Sequence, residues 1–314
     1  MKRYRDFNTY LREIFGERVQ KISLDAGLGC PNRDGTVSEG GCIYCDRLGS
    51  GTGAMVRHHL SIDEQVTKGR QFAEKRYGAK KFIAYFQSFT NTYASQEKLK
   101  SLYDQALRHP GMVGLSVGTR PDCVEGDVLG LLSSYGKDYK VWIEYGLQSA
   151  HDTTLSMINR GHDVACFERS VVMADNRGLE VCAHVILGLP GETRDMMLET
   201  AGFLAGLPVK GVKIHLLYVV RGTRLATLYK KGAYRCLERE AYIDLVVDFI
   251  ALLPPDMVIH RLTGDPAGEE LVAPLWAQNK TENLIHIRRK LEGRDAWQGK
   301  NYRTSTAGKL NRIN

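Results

Sequence analysis

Apolar, β-rich runs alternate with amphipathic stretches along most of the 314 residues. Seven runs predict strands, at 19–24, 81–86, 112–117, 140–147, 180–187, 211–219 and 257–262. The stretches between them predict helices over 62–77, 96–108, 124–135, 164–177, 194–204 and 238–253. Ser61, Ser95 and Asp122 stand where helix N-caps belong. The strands are continuous apolar runs rather than strict alternations, which suits a parallel sheet buried on both faces. Six or seven βα units in one row, with no glycine-rich linker and no short internal repeat, predict an α/β fold. The specific expectation is a partial (β/α)6 TIM-like barrel with a short helical C-terminal extension. The barrel, with its basic N-terminal segment, is expected over 1–265 and the basic extension over 266–314.

Composition narrows the class. With 43% hydrophobic and 25% charged residues the chain is globular, which sets aside disordered and fibrous classes. No stretch approaches the ~20 apolar residues of a membrane helix; the nearest, 243–253, carries Asp244 and Asp248. The first residues are basic with no apolar region behind them, so no signal peptide and no membrane partner are expected. Seven cysteines, an odd number, argue against a disulfide framework and make a reducing cytoplasm the default. The net charge of +7 is uneven: residues 280–314 hold nine basic and three acidic side chains, residues 1–21 six and three. The middle is therefore slightly acidic, and a polyanion is expected to meet the ends first. Solvated, frayed termini are the plainer reading of the same charges.

In a barrel of this kind, chemistry sits at the C-terminal ends of the strands. The polar clusters of this sequence share that address: Cys30 and its loop, Gln87 to Asn91, Gly118 to Asp122, Glu144 with Gln148, His184 with Gly188 to Glu192, and Lys213 with His215. Cys30, Cys42 and Cys45 are spaced Cys-x11-Cys-x2-Cys in a loop rich in Gly, Asn and Asp. Thiolates bind soft metals, and a Cys-x2-Cys pair lets two sulfurs face one centre. Unrelated buried thiols, a redox pair, and structural zinc completed by His58 or His59 remain open beside a four-iron cluster with one iron free. Cys123, Cys166, Cys182 and Cys236 show no pairing pattern and read as structural.

A three-cysteine loop after the first strand of such a barrel resembles the radical SAM superfamily. Its usual spacing is Cys-x3-Cys-x2-Cys, so the eleven-residue gap departs from it, while Tyr44 keeps the aromatic position before the last cysteine. More narrowly, the chain resembles a stand-alone bacterial branch of the radical SAM half of the Elongator catalytic subunit, which acts on the wobble uridine of tRNA. The resemblance runs in order through Thr119–Arg120–Pro121–Asp122, Glu144 to Ser149, Asn159–Arg160–Gly161–His162, His184 to Gly191, Lys213–Ile214, Arg221–Gly222–Thr223, residues 229–234, and Leu253–Pro254–Pro255 with Arg261. The Gly-Gly-Glu motif that many members place after the second strand is replaced by Gln87–Ser88–Phe89–Thr90–Asn91. The Elongator subunit also continues into an acetyltransferase domain, whereas this sequence stops about fifty residues after its barrel. Acetyl transfer is therefore not expected of it.

The resemblance implies a [4Fe-4S] cluster on Cys30, Cys42 and Cys45, S-adenosylmethionine (SAM) on its open iron, and an external electron donor. It implies a SAM site built from Tyr44 beside the adenine, from Gln87, Ser88 and Asn91 toward the ammonium group, and from Glu144, Gln148, His184 and the backbone at Gly188. The alternative for Glu144 is an ion pair with a barrel lysine such as Lys213. Arg120, Asp122, Arg160 and Lys213 are expected toward the substrate, and His215 reads as a hydrogen-bonded core histidine. Arg288, Arg289 and Lys290, on a helix-like stretch with Leu284, Ile287 and Leu291, are expected to present a basic strip to tRNA rather than to DNA. The implied activity is radical remodelling of a carboxymethylaminomethyl-type group on wobble uridine. Competing readings are a radical SAM enzyme on a small molecule, as in oxygen-independent coproporphyrinogen oxidase, and a non-catalytic zinc-bearing nucleic-acid module.

Overall fold

The computed structural model describes residues 2–46, 49, 60–264, 266 and 268–303. Its centre is a seven-stranded, all-parallel sheet: β1 (Val19–Leu24), β2 (Lys81–Phe86), β3 (Met112–Thr119), β4 (Lys140–Gln148), β5 (Glu180–Leu187), β6 (Gly211–Leu216) and β8 (Val258–Arg261). All seven expected strands are present; the central ones, such as β2, β4 and β5, are buried on both faces as continuous apolar runs require, while edge strands β1 and β8 are only partly buried. The sheet curls into a half-barrel whose first and last strands, β1 and β8, do not pair.

Helices α2 (Ile62–Tyr77), α3 (Gln96–Leu107), α4 (Gly126–Ser134), α6 (Val164–Asp175), α7 (Arg194–Ala205) and α9 (Arg239–Leu252) occupy the expected positions. Ser61 makes a capping box with Glu64, and Ser95 caps α3. Asp122 does not cap α4, which begins at Gly126 without a side-chain cap; its carboxylate is taken by Arg120 instead. Close helix–sheet contact depends on a missing side chain at Gly69 in α2, where a Cβ would stand 2.3 Å from Ile22 Cγ2. The helices and the outward sheet face form the main core, from Phe82 and Tyr103 through Phe167 to Phe249.

Three short helices were not expected: α1 (Phe7–Phe15), α5 (Asp152–Met157) and α8 (Arg224–Lys230). α1 plugs the N-terminal end of the barrel. Its Phe7 ring lies 4.0 Å from the His260 ring, and Phe7 and Tyr10 meet Trp142 edge-on. These side chains, with Val19, Ile83, Cys182 and Val258, close the barrel floor with apolar material.

The C-terminal segment folds back on the barrel. β9 (Leu271–Ala273) pairs antiparallel with β7 (Val219–Val220), and α10 (Lys280–Gly293) packs along α9. Ile287 and Leu291 enter the main core, and Gln298 bonds to Arg5, Pro254 and Met257.

Candidate active site

Two residues above the apolar floor, each strand turns a polar side chain inward. Glu144 on β4 is fully buried and accepts from Lys21 of β1 at 2.6 Å, His184 Nε2 of β5 at 2.7 Å, Ser116 of β3 and Lys213 of β6. Lys213 also donates to the Tyr85 hydroxyl at 2.8 Å. Burial opposes the charge of Glu144, but Lys21, Lys213 and His184 more than offset it and hold its carboxyl well below the usual range. Burial pushes Lys21 down to about 8 against the pull of Glu144, and burial with Lys213 pushes His184 down to about 4. The layer is therefore a fully bonded ionic plate. Glu144 has the ion-paired role given above as its alternative.

Above this plate a cleft opens at the C-terminal ends of the strands, walled on one side by the cysteine loop. Cys30, Cys42, Tyr44 and Cys45 line it together with Gln87, Ser88, Arg120, Gln148, Arg160, His184 and Lys213, so most of the expected residues meet in one place. Arg33 Nη1 lies 3.3 Å from Cys45 Sγ, while Arg160 Nη1 and Asn32 Nδ2 lie 3.7 and 3.6 Å from Cys42 Sγ.

The loop is fastened on three sides. Ile43 N–H donates to Ile158 O at 3.0 Å, Asn159 Nδ2 holds Gly41 O at 2.9 Å, and Leu225 N–H of α8 donates to Ile43 O at 2.8 Å. Arg160 reaches back to Gly146 O, at 2.6 Å from Nη2, and this close approach needs glycine: a Cβ on Gly146 would stand 2.6 Å from that nitrogen.

Backbone strain collects here. Of the five non-glycine residues at positive φ among those described, Ser88, Phe89 and Gln148 line the cleft, and Asn159 precedes Arg160. Ser88 Oγ, Thr90 Oγ1, Asn91 Oδ1 and His215 Nε2 are buried without a hydrogen-bond partner among the described residues. His215 lies on the cleft wall, not as the hydrogen-bonded core histidine expected.

Some expected residues stand off the wall. Asn91 Nδ2 ties Ser88 O to Gly118 O, each at 2.9 Å, and so shapes the turn behind Ser88. Asp122 clamps Arg120 with contacts of 2.8 and 2.6 Å, while Arg120 Nη1 holds Arg160 O. Gly188 lies outside the cleft lining, its N–H near Met197 Sδ and its carbonyl accepting from Tyr234. Arg288, Arg289 and Lys290 lie on α10, away from the cleft, with Lys290 paired to Asp244 at 3.0 Å and Glu240 at 3.4 Å.

Sequence reasoning missed Lys21, Tyr85 and Arg33. Arg261, quoted above only for resemblance, lines the cleft with no ion pair among the described residues.

The donor set fits a cluster better than a single ion. Tetrahedral zinc holds its sulfurs about 3.8 Å apart, yet among the described residues the only group of three or more His, Cys, Asp or Glu ligand atoms lying within 4.8 Å of one another is Glu144, Cys182 and His184. A cluster seats each thiolate on a different iron, with the sulfurs farther apart. His58 and His59, the suggested further zinc ligands, lie outside the described residues. The unpartnered polar atoms beside the cysteines suit a polar ligand such as SAM.

Known proteins give the same answer. Residues 27–204 match the model of the radical SAM superfamily, and residues 209–293 match that of the Radical_SAM C-terminal domain. The chain is 43% identical to YtqA of Bacillus subtilis, an uncharacterized protein, over 95% of this chain and 92% of that one. It is 34% identical to Elongator complex protein 3 of Dictyostelium discoideum, over 49% of this chain and 27% of that longer protein. Among solved structures, the archaeal Elp3 of Methanocaldococcus infernus superposes with a TM-score of 0.71 at 17% identity, over 89% of this chain and 64% of that one. The chain thus belongs to the radical SAM superfamily, whose members bind a [4Fe-4S] cluster and S-adenosylmethionine.

Proposed function

We propose that this radical SAM enzyme modifies the wobble uridine of tRNA, acting on a carboxymethylaminomethyl-type side chain. The likeness to Elongator complex protein 3, in sequence and in fold, carries the choice of substrate. When bound, the cluster and SAM supply a 5′-deoxyadenosyl radical, drawing one electron from an external donor. The residues of the chain hold and shield. Cys30, Cys42 and Cys45 ligate the cluster, with Arg33 and Arg160 directed at two of the sulfurs. Gln87, Ser88 and Gln148 offer polar atoms to SAM, and Asn91 fixes their turn. Arg120, locked by Asp122, keeps Arg160 against β4. Arg261 and His215, also on the cleft lining, suit the carboxylate of the uridine side chain, a charge that a half-buried guanidinium with no ion pair among the described residues accepts well.

The test is a nucleoside profile of tRNA from cells lacking the protein. Accumulation of the carboxymethylaminomethyl-type uridine is expected, and a profile identical to the parent's ends the tRNA reading.

Tyr44 lines the cleft between two of the ligand cysteines. Tyr44→Ala is expected to weaken SAM binding about 3- to 10-fold through lost stacking while iron content stays near that of the parent. Equilibrium dialysis of SAM per mole of cluster measures this. Lost iron with unchanged SAM affinity per cluster would reduce Tyr44 to a loop-packing residue.

A further inference from the structure

The α8 hairpin at the rim of the cleft carries cations that nothing in the described chain neutralises. Residues 221–239 hold six basic side chains and one acidic one, although the chain between its two basic ends is slightly acidic. Arg221, Lys230, Lys231 and Arg235 are exposed, and none makes an ion pair among the described residues. Tyr229, 37% exposed, stands beside Lys230 and Lys231. The helix turns Leu225 and Ala226 onto the core that includes Ile43, leaving its basic residues outward. Its first turn touches the cysteine loop directly, through Leu225 N–H on Ile43 O and Arg224 on Gly41 O.

The α10 flank differs. Lys290 and Arg294 are spent on Glu240, Asp244 and Asp248 of α9, and Arg239 is spent on Glu282. Of the expected strip, Lys290 is neutralised in this way, whereas Arg288 and Arg289 are exposed with no ion pair among the described residues, on a helix away from the cleft.

We propose that α8 and the turn after it, centred on Lys230, Lys231 and Arg235, form the surface on which tRNA docks. Unpaired cations pay no cost of breaking internal pairs when they meet phosphates, and an exposed tyrosine among them offers a face to an unstacked base. The first turn of the same short helix rests on the cysteine loop that walls the cleft, which brings an RNA held on α8 toward it. This inference rests on the tRNA reading above and locates its contact surface.

The experiment compares two variants, purified anaerobically with their cluster. One is Lys230→Glu/Lys231→Glu/Arg235→Glu; the other is Arg288→Ala/Arg289→Ala/Lys290→Ala. The probe is bulk tRNA from cells lacking the protein, titrated from about 50 to 200 mM salt. The α8 variant is expected to bind at least about tenfold more weakly at the lower salt, with the slope of log affinity on log salt reduced by about 2 to 3. The α10 variant is expected to stay within about twofold of the parent.

A neutral set, Lys230→Gln/Lys231→Gln/Arg235→Gln, guards against misfolding and is expected to fall between parent and reversal. Loss confined to the α10 variant, or equal loss in both, overturns the proposal while leaving tRNA as substrate. A parent that binds no tRNA at low salt overturns the reading beneath it.

Discussion

Replacing Cys30, Cys42 or Cys45 singly by alanine is expected to remove the cluster and to cut SAM cleavage below about 1% of the parent, with the barrel still folded. Three thiolates already leave one iron for SAM, so a second vacancy needs a substitute ligand. Among the described residues, Cys123 and Cys236 are poor candidates. Cys123 is held up at about 12 by burial and by the negative charge of Asp122, so it remains a thiol at neutral pH. Cys236 is pushed up to about 11, chiefly by burial. Cys123→Ser and Cys236→Ser should therefore keep full iron and sulfide. The measurements are metal content after anaerobic purification and 5′-deoxyadenosine formed under dithionite. A Cys42→Ala protein that still forms 5′-deoxyadenosine would refute the assignment, as would colourless parent protein carrying one zinc.

Glu144→Gln should destabilise the fold by about 3–5 kcal/mol, the typical cost of removing one partner from a buried ionic group. Lys21 and Lys213 are then left facing each other beneath the cleft, without the carboxylate that both now contact. The pH dependence carries a sign. In the parent the carboxyl of Glu144 is depressed, so its contribution is complete above the unfolded value of about 4.3 and is lost as pH falls through the folded value. The variant lacks this acid-side loss. Lys21 is already pushed down to about 8, and without Glu144 it falls further. Between that folded value and the unfolded value of about 10.4 the unfolded chain binds more protons, so the variant should gain stability as pH rises through this window. Urea denaturation at pH 7 and pH 9.5 under argon reads both effects. A Glu144→Gln protein as stable as the parent at pH 7 would show that the plate is not structural and would return Glu144 to a ligand-binding role.

The parts of this fold that were legible in sequence are those whose signal is local. The central strands announced themselves because both faces are buried, so residues such as Val181 to Leu187 are apolar almost without a break. The three cysteines stood out by spacing and residue type, which left a redox pair and structural zinc open; the resemblance to the radical SAM superfamily supplied the cluster. α5 and α8, at six and seven residues, are too short to show a helical period, and nine-residue α1 was masked by the basic character of its surroundings. Lys21 went unnoticed because its partner Glu144 lies 123 residues away in the chain. The charges of α10 misled for the same reason: Lys290 reads as a free cation until α9 brings Asp244 within 3.0 Å. Non-local pairing is invisible to periodicity, and it decided the interior plate and the pairing of Lys290.

With tRNA docked on α8 as proposed, the seam between α8 and the cysteine loop would make two binding events partners in one equilibrium. Leu225 and Arg224 hold the backbone of Ile43 and Gly41, so whatever steadies the helix steadies the loop, and the reverse. Linkage of this kind is reciprocal: the factor by which an RNA on α8 tightens cluster retention is the factor by which the loaded cluster tightens RNA. Chains without a cluster are then the weaker competitors for tRNA, which leaves the substrate to chains equipped to act on it.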